Sequence, residues 1–285
     1  MDVLKSERLA VITGADGGMG QEITRAVALQ GYHVIMACYN MVKAESKRVK
    51  LVNETGNNMI ECLHLDLYTM DSVVLFAKEL LRRGKTITLL MNNAGTMETG
   101  RRQTADGFER TVSVNYVGPY LLTRKLLPLM GTGSRIVNMV SCTYAIGHLK
   151  FPDFFSKGKS GCFWRIPVYS NTKLALTLFT LELAGRLRSS GITVNAADPG
   201  IVSTDIITMH MWFDPLTDIF FRPFIRTPHQ GAATAVSLLL DEKWSSVTGR
   251  LFVNRYPKTL PEKFDSHPQQ KKLWDETERL LKRWL

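Results

Sequence analysis

The chain has 285 residues, 45% of them apolar, which is enough to bury the core of one large α/β domain and argues against disorder. Lysine and arginine exceed aspartate and glutamate by 36 − 26 = +10, but this charge is dispersed, so we expect a basic solvated surface rather than a nucleic-acid-binding face. No apolar run reaches the roughly 20 residues of a membrane span, and the opening MDVLKSERLA lacks a signal-peptide core, so we expect a cytoplasmic protein.

Strand-like apolar runs alternate with segments of helical periodicity. The predicted strands span residues 8–13, 32–38, 59–65, 86–92, 134–140, 191–197 and 249–253. This alternation implies βαβ crossovers, and it predicts a single Rossmann-type domain over residues 1–285, with a doubly wound parallel sheet of about seven strands and helices on both faces. Ligands of such sheets bind at the carboxyl ends of the strands, so the residues that follow each strand are the candidates for a site.

The first strand is followed by TGADGGMG, residues 13–20. Its glycines permit a tight turn, close approach to a phosphate and close packing of the next helix, whose N-terminal N–H groups favour an anion. Alone, such a run is often only a structural turn, but its place between a strand and a helix favours a dinucleotide site. The candidate cofactor-binding residues of this turn are Gly14, Asp16, Gly18, Met19 and Gly20.

Two later turns carry further candidates. After the third strand, the carboxylate of Asp66, which precedes Leu67, is placed to accept a hydrogen bond from an adenine amino group, although a helix cap is the ordinary explanation. After the fourth strand, MNNAG provides Asn93, Ala94 and Gly95, whose small size lets a flat ligand lie against the backbone; the same residues also make a plain turn.

Four polar residues lie where a buried reaction site needs them. Asn115 interrupts a long apolar helix, which costs stability unless its side chain is hydrogen-bonded. Ser141 ends the fifth strand, and DPG, residues 198–200, follows the sixth. Tyr169 and Lys173 lie four residues apart, on one face of a predicted helix. They form either a solvated helix face or an acid tuned by its neighbour.

These motifs, TGADGGMG, NNAG, Asn115, Ser141, YSNTK and DPG, come in the order found in the short-chain dehydrogenases/reductases, which the chain resembles from about residue 8 to 254. The stretch DGFERTVSVNYVGPYLLT and the tail HPQQKKLWDETERLL resemble the retinol-dehydrogenase-like branch, which is itself similar to the WW-domain oxidoreductases. The N-terminal membrane anchor of many retinol dehydrogenases is not seen.

The resemblance implies an NAD(P)-dependent oxidoreductase that interconverts an alcohol and its ketone or aldehyde, with the catalytic set Asn115, Ser141, Tyr169 and Lys173. We expect the ammonium of Lys173 to lower the pKa of Tyr169, Ser141 to hold the reacting oxygen, and Asn115 to hold a water. Tyr169 and Lys173 also belong to the expected cofactor site. The resemblance adds to that site Pro199, Gly200, Ile201 and Thr204. A dinucleotide-binding regulatory or scaffold protein without turnover is the alternative.

The second strand ends MACYN, without the acid that holds the ribose in NAD-dependent enzymes. Tyr39 stands where the resembled branch has an arginine for the phosphate of NADP. Lys43, one turn on, is a substitute, whereas Asp16 argues the other way. The sequence therefore favours NADP(H) and leaves NAD(H) open.

Two apolar segments are candidates for the substrate site. Residues 203–227 are rich in Met and Phe and are predicted to form a lid for a small-molecule substrate, a bulky hydrophobic alcohol or carbonyl compound, although they also suit a core. Residues 145–167, with Phe151, Phe154 and Phe155, are a second rim candidate, or else a basic loop or a surface that touches anionic lipid.

The tail, about 268–284, has apolar residues at helical spacing and is predicted to pack on its own domain, with dimerisation or peripheral membrane contact as alternatives. We expect a monomer or homodimer. The cysteines lack paired spacing, and His64 and His210 lack spaced partners, so we expect reduced thiols and no metal site.

Overall fold

The computed structural model describes residues 8–100, 102–156, 165–202, 226–261, 264 and 267–285. Eight strands form one sheet in the order β3-β2-β1-β4-β5-β6-β7-β8. The strands are β1 Leu9–Thr13, β2 His33–Cys38, β3 Ile60–His64, β4 Ile87–Asn92, β5 Arg135–Met139, β6 Thr193–Asp198, β7 Leu251–Val253 and β8 Tyr256–Lys258. The first seven pair in parallel, which confirms the predicted fold class.

β8 is the one strand of this sheet that the sequence analysis did not predict. It pairs antiparallel with β7 after a turn in which Asn254 and Arg255 both adopt positive φ. Positive φ at both central residues is the geometry of a tight two-residue hairpin. The three residues of β8 are exposed, so this strand lacks the apolar run that identified the other seven.

The helices cover both faces of the sheet. They are α1 Gly18–Leu29, α2 Met41–Thr55, α3 Met70–Arg83, α4 Arg110–Val112, α5 Gly118–Leu126, α6 Asp153–Ser156, α7 Arg165–Arg186, α8 Pro228–Leu240 and α9 Pro268–Leu281. A π-helical turn, Ser113–Val117, joins α4 to α5. Because successive side chains of a strand point to opposite faces, β1 contributes to two separate apolar cores. Leu9 and Val11 pack on the α3, α5 and α7 side, and Ala10 and Ile12 on the α1, α2 and α8 side.

The strand order reverses between β1 and β4, which lie side by side although β2 and β3 separate them in the chain. The helices that follow β1 and β4 therefore leave on opposite faces, and a crevice opens at the carboxyl ends of these two strands. This crevice brings together the turn after β1 and the turn after β4.

The C-terminal helix α9 packs against α5 and α7. The ring of Trp274 is only 7% exposed, and the guanidinium carbons of Arg186 and Arg124 lie 4.1 Å and 5.0 Å from its centre. The hydroxyl of Thr277 lies 2.8 Å from that of Tyr116. The tail thus contacts its own domain, as predicted, and its helix ends at Leu281. Within the residues that the structure describes, no helix combines the length and apolar character needed to span a bilayer.

We predict that Trp274→Ala lowers the free energy of unfolding by about 3–5 kcal/mol, because it leaves a large cavity between α9 and α7. Chemical denaturation measures this change. The control is Lys271→Ala on the same helix, whose exposed side chain pairs with Asp275, and which we expect to change stability by less than about 0.5 kcal/mol. A Trp274→Ala protein as stable as this control would contradict the packing described here.

Candidate active site

The glycine-rich turn between β1 and α1 is possible only with glycine at its ends. Gly14 has a φ of 61°, which a side chain disfavours. A Cβ atom on Gly20 would lie 2.1 Å from the carbonyl oxygen of Gly14. A Cβ on Gly18 would lie 3.2 Å from Pro228 at the start of α8. The turn therefore leaves the first N–H groups of α1 open toward the crevice, where they favour an anion.

The turn after β4 is bound to the turn after β1 by hydrogen bonds. The hydroxyl of Thr13 accepts from the backbone N–H groups of Asn93 and Ala94, each at 3.0 Å. The Asn93 amide nitrogen donates to the carbonyl oxygens of Thr13 at 3.0 Å and Gly14 at 3.2 Å. Two turns that are distant in sequence thus form one rigid surface.

A cavity of about 610 Å³ opens along this surface. Eleven residues predicted for the cofactor site line it: Gly14, Asp16, Gly18, Met19, Gly20, Tyr39, Asp66, Leu67, Asn93, Ala94 and Gly95. Lys43, suggested by the sequence as a phosphate partner, also lines the cavity. The carboxylate of Asp66 accepts from the backbone N–H of Tyr68 at 2.8 Å, so it caps its own turn as well as facing the cavity.

Tyr169 and Lys173 lie on one face of α7, as their spacing predicted, with the Lys173 ammonium nitrogen 5.3 Å from the centre of the Tyr169 ring. Lys173 is only 3% exposed, and its ammonium donates to the carbonyl oxygen of Met139 at 2.9 Å. A Cβ on Gly95 would lie 3.7 Å from this nitrogen. The pair is therefore not a solvated helix face, and it borders the cavity through Gly95.

Asn115 lies in the π-helical turn, where the wider backbone turn is typical of a functional position. Its side-chain oxygen accepts from the backbone N–H of Thr96 at 2.8 Å. Its amide nitrogen donates to the carbonyl oxygen of Thr96 at 2.9 Å and to the hydroxyl of Thr172 at 3.1 Å. The buried side chain is thus hydrogen-bonded, as its position in an apolar helix required, and it fixes the chain after β4 to α7.

Ser141 begins a short 3₁₀ helix, Cys142–Ile146, after β5. This segment packs directly on α7, because a Cβ on Gly147 would lie 2.6 Å from the carbonyl oxygen of Ser170. The contact brings the Ser141 side chain close enough to Tyr169 to act on its pKa. The four predicted catalytic residues therefore come together at the carboxyl ends of β4 and β5.

The pKa of Tyr169 differs from what the sequence suggested. Burial raises the pKa of Tyr169 to about 12, although the hydrogen bond with Ser141 opposes this rise. Burial also lowers the pKa of Lys173 to about 8, and the negative charge of Asp198 opposes that change. The lowered pKa expected for Tyr169 is therefore not found in the polypeptide itself, because removal of the phenolate from water is the largest effect on this group.

Pro199, Gly200 and Ile201 form a turn after β6 and do not line the cavity described above. The turn is held by Arg226, whose backbone N–H donates to the carbonyl oxygen of Ile201 at 2.7 Å and whose guanidinium donates to that of Pro199 at 3.1 Å. Thr204, predicted for the cofactor, lies outside the described residues.

Most of the predicted lid, about 203–227, also lies outside them, as do His210 and residues 157–164 of the second rim candidate. The rim prediction is wrong for Phe154 and Phe155, which are 8% and 3% exposed and pack against Tyr116 in the core. Among the described residues, no cluster of three His, Cys, Asp or Glu side chains is arranged to hold a metal ion.

The sequence was compared with families of known proteins. Residues 8–210 match the family model for the short chain dehydrogenases, which is more than half of the chain. The chain belongs to the short-chain dehydrogenase family. It is an NAD(P)-dependent oxidoreductase that acts on CH–OH groups and the corresponding carbonyls, as the resemblance of its motifs implied.

Curated relatives place this dehydrogenase in the retinol-dehydrogenase-like branch. It is 34% identical to human retinol dehydrogenase 12 over 276 residues, which cover 96% of this chain and 86% of the relative. It is 36% identical to mouse retinol dehydrogenase 11 over 252 residues, which cover 86% of this chain and 77% of the relative.

Solved structures have the same fold. An uncharacterized protein from Mycobacterium Paratuberculosis, 27% identical, superposes with a TM-score of 0.77 over 97% of this chain and 94% of its own. A short chain dehydrogenase from Burkholderia cenocepacia, solved in complex with NADP and 21% identical, superposes with a TM-score of 0.70 over 87% of this chain and 96% of its own.

The cavity of this dehydrogenase fits a dinucleotide. The close contacts at Gly14 and Gly20 leave backbone, and no side chain, where a pyrophosphate approaches. Asn93 lines the cavity, and its side-chain oxygen is buried without a hydrogen-bond partner among the described residues. The glycine turn, Asn93 and Ala94 are thus the residues that would hold the cofactor along the crevice.

Several residues of this dehydrogenase escaped the sequence analysis. Thr13 joins the two turns by three contacts, and a threonine at the end of a strand gave no signal of that role. Lys47 follows Lys43 by one helical turn, so helix spacing could have found it. The remaining unpredicted residues that line the cavity are Gly17, Gln21, Ala37, Leu65, Tyr68, Thr96, Val114 and Pro228.

We predict that Gly20→Ala raises the dissociation constant of NADPH by about 100-fold or more, equivalent to about 2.7 kcal/mol. The added methyl group must displace the backbone of the turn, because it would lie 2.1 Å from the Gly14 oxygen and 2.8 Å from the Ala15 Cα. Fluorescence titration measures the affinity. Gly131→Ala is the control, since a Cβ there meets no atom within 4 Å, and we expect wild-type affinity for it. Unchanged binding by Gly20→Ala would contradict the proposed cradle.

Proposed function

We propose that this dehydrogenase interconverts a bulky hydrophobic alcohol and its aldehyde or ketone with NADP(H), and that Asn115, Ser141, Tyr169 and Lys173 carry the reaction. The observation that supports this proposal is the burial of the Lys173 ammonium beside both Tyr169 and Gly95, at the border of the dinucleotide cavity. The bound nicotinamide supplies or accepts the hydride, so the polypeptide has to manage the proton.

Tyr169 is the proton donor for reduction and the acceptor for oxidation. Its hydroxyl faces that of Ser141, so both reach a single substrate oxygen, and the serine stabilises the charge that develops there. Lys173 keeps a positive charge beside the phenol, and its remaining N–H groups are available to the cofactor ribose. Asn115 holds the chain of Thr96 against α7, which keeps the cavity and the catalytic pair in register.

The raised pKa of Tyr169 favours the reductive direction at neutral pH. Reduction of a carbonyl requires the neutral phenol, and burial keeps the phenol neutral up to a pKa of about 12. Oxidation of an alcohol requires the phenolate, which this environment disfavours. We therefore expect the polypeptide groups to suit reduction at neutral pH and oxidation at alkaline pH.

The substrate proposal comes from the relatives, whose names include retinol dehydrogenases 11, 12 and 13. Retinol is a long, apolar primary alcohol, so we infer a substrate of the same class. Exposed apolar side chains near the site agree with this class: Ile146 is 69% exposed in the Ser141 segment, and Ile166 is 51% exposed at the start of α7. Such side chains favour contact with an apolar chain.

We predict NADPH-dependent reduction of retinal and other long-chain aldehydes, and loss of that activity in Tyr169→Phe. The variant retains the aromatic ring but lacks the transferable proton, so kcat falls at least about 1,000-fold. NADPH consumption measures turnover, and fluorescence titration should give near wild-type NADPH affinity for the variant. Tight NADPH binding without turnover of any aldehyde or ketone in the panel would support a regulatory protein instead, and equal kcat in the variant would contradict the role of Tyr169.

The cofactor preference depends on the charges at the adenosine end of the cavity. Lys43 and Lys47 lie one turn apart on α2, and both line the cavity next to Tyr39. The Lys43 ammonium lies 3.5 Å from the carboxylate of Asp16, which neutralises the one acid of the glycine turn. Lys47 makes no ion pair with the described residues, and its charge is available to the extra phosphate of NADP. The NADP complex of the Burkholderia cenocepacia neighbour is consistent with this preference.

We predict that Lys47→Ala raises the dissociation constant of NADPH about ten-fold, or about 1.4 kcal/mol, and leaves that of NADH nearly unchanged. The reason is that only NADPH carries the phosphate that the ammonium contacts. The control is Lys50→Ala, on the same helix but paired with Glu54 at 3.6 Å outside the cavity. Equal weakening of both dinucleotides, or wild-type protein that binds NADH more tightly than NADPH, would contradict the preference for NADP(H).

A further inference from the structure

Asp198, the last residue of β6, has no part in the reaction described so far. Its side chain is 2% exposed, which is rare for an aspartate unless it has a defined partner. One carboxylate oxygen accepts from the backbone N–H of Gly200 at 2.9 Å. The backbone N–H of Cys142 also acts on this carboxylate and lowers its pKa. Asp198 therefore connects the turn after β6 to the turn after β5, which begins with Ser141.

The strand register places this carboxylate beside the catalytic pair. Met139 of β5 lies opposite Ala197 of β6, and the backbone N–H of Val140 donates to the carbonyl oxygen of Ala197 at 2.9 Å. Asp198 is the next residue of β6. The Lys173 ammonium binds the carbonyl oxygen of Met139. The carboxylate and the ammonium thus both lie where β5 and β6 leave the sheet.

Titratable and charged groups surround this point on several elements. On α7, Tyr169 and Lys173 face the carboxylate, and the Cys142 thiol lies beside Tyr169 in the turn after β5. Arg226, before α8, and Lys258, on β8, face the carboxylate from the other side. Within the described part of the chain, Lys173 has no carboxylate within salt-bridge distance, so Asp198 is the acid whose charge offsets its burial.

We propose that Asp198 is a positioning residue of this reaction: its carboxylate joins the Ser141 turn to the Pro199–Gly200–Ile201 turn and places a negative charge beside Tyr169 and Lys173. This inference rests on the proposed function of Tyr169 and Lys173. A negative charge beside a phenol disfavours the phenolate. Removing that charge should let Tyr169 lose its proton at lower pH.

The test compares three substitutions at this position. Asp198→Asn removes the charge and retains an oxygen that can accept from Gly200. Asp198→Ala removes both the charge and the acceptor. Asp198→Glu retains the charge on a longer side chain. Asp241→Asn is the matched control, because Asp241 lies at the opposite edge of the sheet, where Arg135 at the start of β5 donates to its carbonyl oxygen at 2.7 Å.

The first readout is the pH dependence of kcat for NADPH-dependent aldehyde reduction. In Asp198→Asn, we expect the alkaline loss of kcat to occur at least about half a pH unit lower than in wild type, because the Asp198 charge raises the pKa of both Lys173 and Tyr169. Asp198→Glu and Asp241→Asn should keep the wild-type midpoint. A wild-type midpoint in Asp198→Asn, or a midpoint in Asp198→Glu as low as that of the Asn variant, would overturn the role of the charge.

The joining role is tested at neutral pH. Asp198→Ala should lower kcat at least about ten-fold more than Asp198→Asn, because both turns lose their acceptor. Equal kcat in these two variants would overturn that role. If Asp198→Asn does not fold, Asp198→Glu still tests the positioning role. Its longer side chain should displace the two turns and lower kcat, while the pH midpoint of kcat stays at the wild-type value. A wild-type kcat in Asp198→Glu would contradict the positioning role.

A second readout needs no turnover. The ultraviolet absorbance of tyrosinate, taken as the difference between each protein and its Tyr169→Phe counterpart, reports the titration of Tyr169 alone. A downward shift in Asp198→Asn supports the inference even if no substrate is found. An unshifted titration in an enzyme that reduces aldehydes would overturn the inference and leave the proposed function intact.

Discussion

The burial of one ammonium group constrains the whole site. Lys173 is almost completely enclosed, and a buried cation is tolerated only where dipoles and opposite charge replace water. The carbonyl oxygen of Met139 provides the dipole, and Asp198 provides the charge. A residue without a side chain, Gly95, lets the dinucleotide cavity approach the ammonium. β4, β5, β6 and α7 must therefore keep one relative position, or the cation loses its partners.

Hydrogen bonds also join the dinucleotide cavity to the helix that carries Tyr169. The crevice between β1 and β4 is rigid because the hydroxyl of Thr13 and the amide of Asn93 bind its two turns together. Asn115 binds the chain after β4 to α7. The surface proposed to hold the dinucleotide and the helix that carries Tyr169 are thus fixed to each other by hydrogen bonds rather than by loop length.

Prediction from sequence succeeded where local periodicity carries the information. The ends of the seven predicted strands agree within two residues with the structure, because parallel strands covered on both faces are continuous apolar runs. Prediction failed where long-range packing decides. β8 has no apolar signal and exists because a tight turn lays it on β7. Phe154 and Phe155 resemble rim residues in sequence, and only the fold shows that Tyr116 covers them.

The sequence by itself determined the fold class and the glycine turn, since each depends on residue type and spacing along the chain, and its resemblance to a family supplied the proposed catalytic set. Only the tertiary structure decided in which direction the pKa of Tyr169 is shifted. The pKa of Tyr169 is raised, not lowered, because burial by α7, the Ser141 turn and β6 removes water from the phenol. Desolvation depends on every neighbouring segment at once, and the spacing of two residues on one helix does not contain it.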